Sequence, residues 1–261
     1  MVEPGSPREY LLFRLYGPMA AWGDIAVGEY RPSFERPSKS AILGLLAAAL
    51  GIKRPDTIPS EMQAEREAAE QQHARLAADY GCCIQVEALG SLLRDYHTVQ
   101  RPPEKRKAVY PTRRAELAAD ELATTLSTRD YRVEGLYAIV IWTKTTSPAH
   151  ALSRLAQALA KPRFTLYLGR KSCPPALPLR AQVISACSLD EAFRSADFGD
   201  TAFCAAMDGL EFPIDSNILR FNEEEQDGNM LAVTRRDAPA SRRRWQFAER
   251  TEYQSVNARE K

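Results

Sequence analysis

Cationic and aromatic side chains interleaved with glycine recur at several points along this chain of 261 residues. The stretch "RFTLYLGRKSCP" at 163–174 brackets Tyr167 and Gly169 with Arg163, Arg170 and Lys171. In "LRDYHTV" at 93–99, strand alternation sets Arg94, Tyr96 and Thr98 on one side and Asp95 and His97 on the other. Arg101, Lys105, Arg106, Lys107, Tyr110, Arg113 and Arg114 follow directly. Further upstream, Trp22 stands between Gly17 and Gly23, and Arg36 precedes a helix that opens at Ser38, Lys39 and Ser40. Guanidinium and ammonium groups hold phosphates, a helix N-terminus offers N–H donors to an anion, and aromatic rings stack unpaired bases. The chemistry these residues share is the gripping of a nucleic-acid strand. Each also has an ordinary reading as a solvated loop, a helix cap or a core ring.

The same inventory speaks against bond-making chemistry. "PSKS" at 37–40 lacks the glycines of a phosphate-binding loop. Cys82, Cys83, Cys173, Cys187 and Cys204 contain no C-x-x-C, and only three histidines accompany them, so reduced thiols are expected and neither a metal nor a cofactor is. Tyr96 and His97 beside lysines leave one catalytic alternative, a metal-independent endoribonuclease. General acid–base cleavage would require such groups to converge on one phosphate.

A net charge of +1 conceals segregation. Residues 94–114 carry seven Lys/Arg against two acids, 235–244 five against one, and 190–227 eleven acids against two arginines. Local fields therefore matter more than the total. The longest apolar run, "AILGLLAAALGI" at 41–52, has twelve residues, short of the ~20 needed to span a bilayer. The start, "MVEPGSPREY", reads as neither signal nor transit peptide, so the expected location is cytoplasmic and no membrane partner is expected.

The elements that must position these groups follow from periodicity. "EYLLFRLYGP" at 9–18 alternates as a strand, and "RPSKSAILGLLAAALG" is a buried helix capped by Ser38 or Ser40 and stopped by Gly51. A charged helix over 60–79 leads to a strand at 82–89; 134–143 is a second middle strand, followed by a helix with Ser147 as N-cap and Pro148 in its first turn. "RFTLYLG" is expected as the fourth strand. Strand, helix, strand, strand, helix, strand is the order of an α+β, ferredoxin-like (RRM-like) domain. The two middle strands are separated by about 40 residues rich in Arg, Lys and Pro, a length that is functional or disordered in most compact domains. Beyond 175, "LRAQVISACS", "NMLAVTRRD" and "RRRWQFAERTEY" read as strands of a smaller β-rich part.

"LYGPMAAWGD" (15–24), "RPSKSAILGLLAAALGI" (36–52), "LRDYHTV" (93–99) and "KPRFTLYLGRKSCP" (161–174), in this order, closely resemble the CasD family, the Cas-five subunits of the type I-E CRISPR surveillance complex Cascade. A weaker match is "RWQFAERTEY". The resemblance implies a modified ferredoxin-like domain over 1–175 with a basic thumb at about 94–131, and a small β-rich C-terminal domain over 176–261. It implies a non-catalytic protein that holds the 5′ handle of the CRISPR RNA (crRNA) and caps the complex. Its partners would be the neighbouring backbone subunit, the large subunit and, in the assembled complex, target DNA.

Overall fold

Three apolar stretches, 10–15, 80–86 and 136–142, supply strands that alternate their side chains between two cores. The computed structural model describes residues 6–103, 109–199, 219–224 and 230–255. In chain order its elements are β1 (Arg8–Tyr16), the short β2 (Met19–Ala20), β3 (Trp22–Gly23), β4 (Tyr30–Arg31) and β5 (Ser33–Phe34), α1 (Lys39–Leu50), a 3₁₀ turn (Pro55–Thr57) and α2 (Gln63–Asp79). Then come β6 (Tyr80–Ala88), β7 (Ser91–Arg101), α3 (Arg113–Leu117), β8 (Ala123–Val133), β9 (Leu136–Thr143), α4 (Leu152–Ala160), β10 (Gln182–Ala186), α5 (Leu189–Arg194), β11 (Leu219–Asn222), β12 (Met230–Ser241) and β13 (Gln246–Ser255). The class is α+β and strands predominate.

Seven strands form one antiparallel sheet in the order β10-β1-β9-β6-β11-β13-β12. On one face Leu11, Phe13 and Leu15 of β1 and Ile139 and Ile141 of β9 pack on Ile42 and Leu46 of α1 and Leu155 and Leu159 of α4. On the other, Tyr10, Leu12, Val140 and Trp142 meet Leu189 and Ala192 of α5. This two-sided burial explains why β9 reads as an unbroken apolar run. The strands after residue 175 join this sheet rather than building one of their own: β10 pairs β1, and β11 pairs β6.

The expected caps of α1 are present. Ser38 accepts from the amide of Ala41, and Gly51 ends the helix at φ 81. Two expectations are corrected. Residues 163–169 form no strand, and the edge position beside β1 belongs to β10. Their backbone groups are taken elsewhere: Arg163 and Phe164 donate to Ala49 and Ala48 at the end of α1, and Leu168 accepts from Ala21. Ser147 caps no helix either, since α4 begins at Leu152. The amides of Ala149 and His150 donate to the Asp79 carboxylate and the Tyr80 hydroxyl, which hold that segment outside the helix.

Candidate nucleic-acid interface

Where it is described, the insertion between β6 and β9 is built on a two-stranded ladder. β7 and β8 pair antiparallel over their full lengths, from Ser91↔Val133 to Arg101↔Ala123. Both strands carry the tripeptide Arg-Asp-Tyr, at 94–96 and at 129–131, and antiparallel pairing sets Arg94 opposite Asp130 and Asp95 opposite Arg129. Arg94 donates Nε to Asp130 Oδ1 at 2.9 Å and Nη2 to the Tyr30 hydroxyl at 2.9 Å, and that hydroxyl also bonds Asp130. The bond from Arg94 holds the Asp130 carboxyl below its usual range. The triad ties the hairpin to β4, which runs parallel to β8 with Tyr30 opposite Thr128 and Arg31 opposite Arg129.

Alternation gives the hairpin two faces. One carries Arg94, Tyr96, Thr98 and Gln100, as their spacing predicts, and Tyr96 is 65% exposed. The other carries His97, Val99 and Arg101 with Ser127 and Arg129 across the pair. This second face closes a groove of about 450 Å³ against the 28–31 segment, with Arg31, Arg101, Arg129 and Arg170 on its walls and Glu29 as its one carboxylate. Arg170 reaches it from the turn after 163–169: its guanidinium lies 4.5 Å from the centre of the Tyr131 ring and donates to the carbonyl oxygens of Asp130 and Arg31. Four guanidinium groups around one small groove build the electropositive concavity that a phosphate chain requires.

A second recess, about 580 Å³, lies between the hairpin and α3 and is lined by His97, Gln100, Arg113 and Leu117. His97 Nδ1 stands 3.6 Å from Asp95, and Arg113 donates to Gln100 O and to Glu116. Arg114 and Tyr110 are exposed nearby. Lys105, Arg106 and Lys107 lie outside the described residues.

Several expected contacts are closed off by the fold. Trp22 is 3% exposed and meets Tyr137 edge-on at 5.6 Å, so it plugs the core instead of presenting a face to a base. Arg36 is buried, paired with Glu252 and stacked on Phe221 at 3.6 Å. Lys39 is buried with its ammonium 2.7 Å from Glu223. The N-terminus of α1 already has its anion: Asp237 of β12 accepts the Lys39 amide at 2.9 Å, while the Ser38 and Ser40 hydroxyls bond each other at 2.8 Å. Arg163 packs its aliphatic stem over Gly51 at the C-terminal end of α1 and stays exposed. Gly169, at φ 87, allows close approach to the carbonyl of Ala21 and not to a ligand. Tyr167 is half-buried and Lys171 exposed. Sequence reasoning named Arg94 but missed Arg31, Arg129 and the partnership of Arg94 with Tyr30 and Asp130; the repeated Arg-Asp-Tyr was the signal that could have found the pairing.

Cys82 and Cys83 are buried, and burial pushes the Cys83 thiol up to about 12. Among the described residues no group of three or more His, Cys, Asp or Glu is placed to hold a metal ion. Nor is any described helix long and apolar enough to cross a membrane.

Comparison with known proteins converges on one family. The model of the CRISPR-associated protein (Cas_Cas5) family matches residues 10–253. The chain is 33% identical over 246 residues to the CRISPR system Cascade subunit CasD of Escherichia coli (strain K12), covering 94% of this chain and 95% of that one. Among solved structures it is similar to a CRISPR RNA-guided surveillance complex chain, with a TM-score of 0.58 at 21% identity over 95% of this chain and 88% of that one. A structure described as a Cas protein gives a TM-score of 0.54 at 23% identity over 95% and 94%. With the family model covering nearly the whole chain, this protein belongs to the CRISPR-associated protein (Cas_Cas5) family.

Proposed function

We propose that this chain is a non-catalytic subunit of a type I-E CRISPR Cascade complex that grips the 5′ handle of the crRNA and caps the backbone of the assembly. In that position it would adjoin the neighbouring backbone subunit and the large subunit, with target DNA entering only the assembled complex. The observation that carries the reading is the groove in which Arg31, Arg101, Arg129 and Arg170 converge on the face of the β7–β8 hairpin. The hairpin is taken as the family's thumb. The order β10-β1-β9-β6, with α1 and α2 following β1 and α4 following β9, supports a modified ferredoxin-like core. The backbone oxygens of Asp130 and Arg31 hold the Arg170 guanidinium at the groove wall.

The test uses the purified chain and a fluorescently labelled single-stranded RNA of the handle sequence, with anisotropy read across a salt series. Each phosphate contact contributes about 0.7 to the slope of log affinity against log salt for single strands. Arg101→Ala/Arg129→Ala is expected to reduce that slope by about 1.4 and to weaken binding at every salt concentration. An unchanged slope would remove the groove from the interface. Site-specific scission of the RNA by the wild-type chain would favour the endoribonuclease reading instead.

A further inference from the structure

The basic run 235–244 is divided by the fold into two sets. Arg235 and Arg242 turn inward: Arg235 lies 3.8 Å from Glu252 and 4.3 Å from the centre of the Phe34 ring, and Arg242 is buried and donates to Ser40 O at 2.5 Å. Arg236, Arg243 and Arg244 turn outward, and among the described residues no ion pair engages them. The last two belong to the turn joining β12 to β13, which ends at Trp245.

Trp245 is the one exposed tryptophan of three, at 48%, whereas Trp22 and Trp142 are buried. It holds φ 52, a left-handed conformation uncommon for a bulky side chain and concentrated at functional sites. The ring is fixed in place. Its Nε1 donates to Asp56 at 3.2 Å, the Arg54 guanidinium lies 5.0 Å from its centre, and Phe247 lies at 6.4 Å. The two nearest carboxylates are engaged with the turn itself: Asp56 also pairs with Arg54, and Glu70 accepts the Arg243 amide at 2.9 Å. Glu249 on β13 is the next exposed carboxylate along the strand. A hairpin that needed only to turn would place Asn or Gly here. This one presents an oriented ring rimmed by guanidinium groups.

We propose that the β12–β13 turn is a second nucleic-acid contact: an unpaired base stacks on Trp245 while Arg236, Arg243 and Arg244 neutralise the flanking phosphates. Charge complementarity and an oriented, half-exposed ring favour a single strand, because duplex bases offer no open face to stack. The contact shares no residue with the hairpin groove and stands whether or not that groove holds RNA.

Its test is tryptophan quenching by acrylamide in the full-length chain carrying Arg101→Ala/Arg129→Ala, which weakens the groove while the emission reports on Trp245 itself. Trp245 dominates the quenchable emission, because the other two tryptophans are buried. Oligo-dT or oligo-U of about 12 nucleotides, within the usual site size, is expected to protect that emission. Adding Arg243→Ala/Arg244→Ala should lower the salt slope by about 1.4, and Trp245→Ala, which removes the fluorophore and is read by anisotropy of the labelled oligonucleotide, should weaken binding on the order of tenfold with little salt dependence. Protection by either oligonucleotide supports the proposal. Emission equally quenchable with and without oligonucleotide overturns it, as does protection only by a duplex of the same length or only by polyglutamate. Should Trp245→Ala fold poorly, the exposed arginine pair decides, and an unchanged salt slope in that variant overturns the proposal.

Discussion

Asp237 accepts the backbone N–H of Lys39 at 2.9 Å, so a carboxylate from β12 serves as the anion at the N-terminus of α1. The same carboxylate takes Arg250 through Nε at 2.6 Å and Nη2 at 3.1 Å, and Arg250 also bonds Glu252, the partner of Arg36. One buried network thus ties the first long helix to two strands almost 200 residues downstream. Asp237→Ala leaves Arg250 buried with half its partners, and breaking such a pair costs about 3–5 kcal/mol. Urea unfolding is expected to show a loss of this size, with Asp237→Asn less affected.

The network also sets an acid limit. Burial alone would raise the Asp237 carboxyl, but its bonds from Arg250 and Lys39 outweigh this and hold it below its usual range. A carboxyl lowered in the folded state contributes stability that is fully present above its unfolded value, about 3.9, and is lost as pH falls through the folded value. The urea midpoint should therefore fall below about pH 4 in the wild type, and fall less steeply in Asp237→Asn.

Gly169 tests the packing of the basic turn. A Cβ built there lands on the carbonyl oxygen of Ala21, and φ 87 penalises any side chain. Gly169→Ala is expected to cost at least about 2 kcal/mol. It should also shift Arg170 out of the hairpin groove, lowering RNA affinity in the anisotropy titration beyond what its fraction unfolded explains.

His97 bears on catalysis. Among the described residues, Asp95 stands 3.6 Å from its Nδ1 and Arg113 shares its recess. His97→Ala is expected to bind handle RNA as the wild type does, and neither protein should cut labelled repeat RNA, with or without magnesium. Cleavage by the wild type that disappears in the variant would reverse this expectation.

The sequence by itself determined the elements whose signals are local. Ser38 and Gly51 bound α1 as their capping chemistry dictates, and apolar runs set β1, β6 and β9. Alternation placed Arg94, Tyr96 and Thr98 on one face of β7. The family was legible too, from four separated motifs. Only the tertiary structure decided which cations face water. Lys39 and Arg36 look like phosphate ligands in isolation, yet Glu223 and Glu252, distant in sequence, bury both. Residues 163–169 carry a strand pattern, but the end of α1 and Ala21 take the hydrogen bonds a ladder would need. Arg31 and Arg129 gave no sign of partnership because the groove exists only once β4 lies along β8. Charge and periodicity are properties of neighbours in the chain, whereas the partner that neutralises a buried cation is chosen by the packing of remote strands.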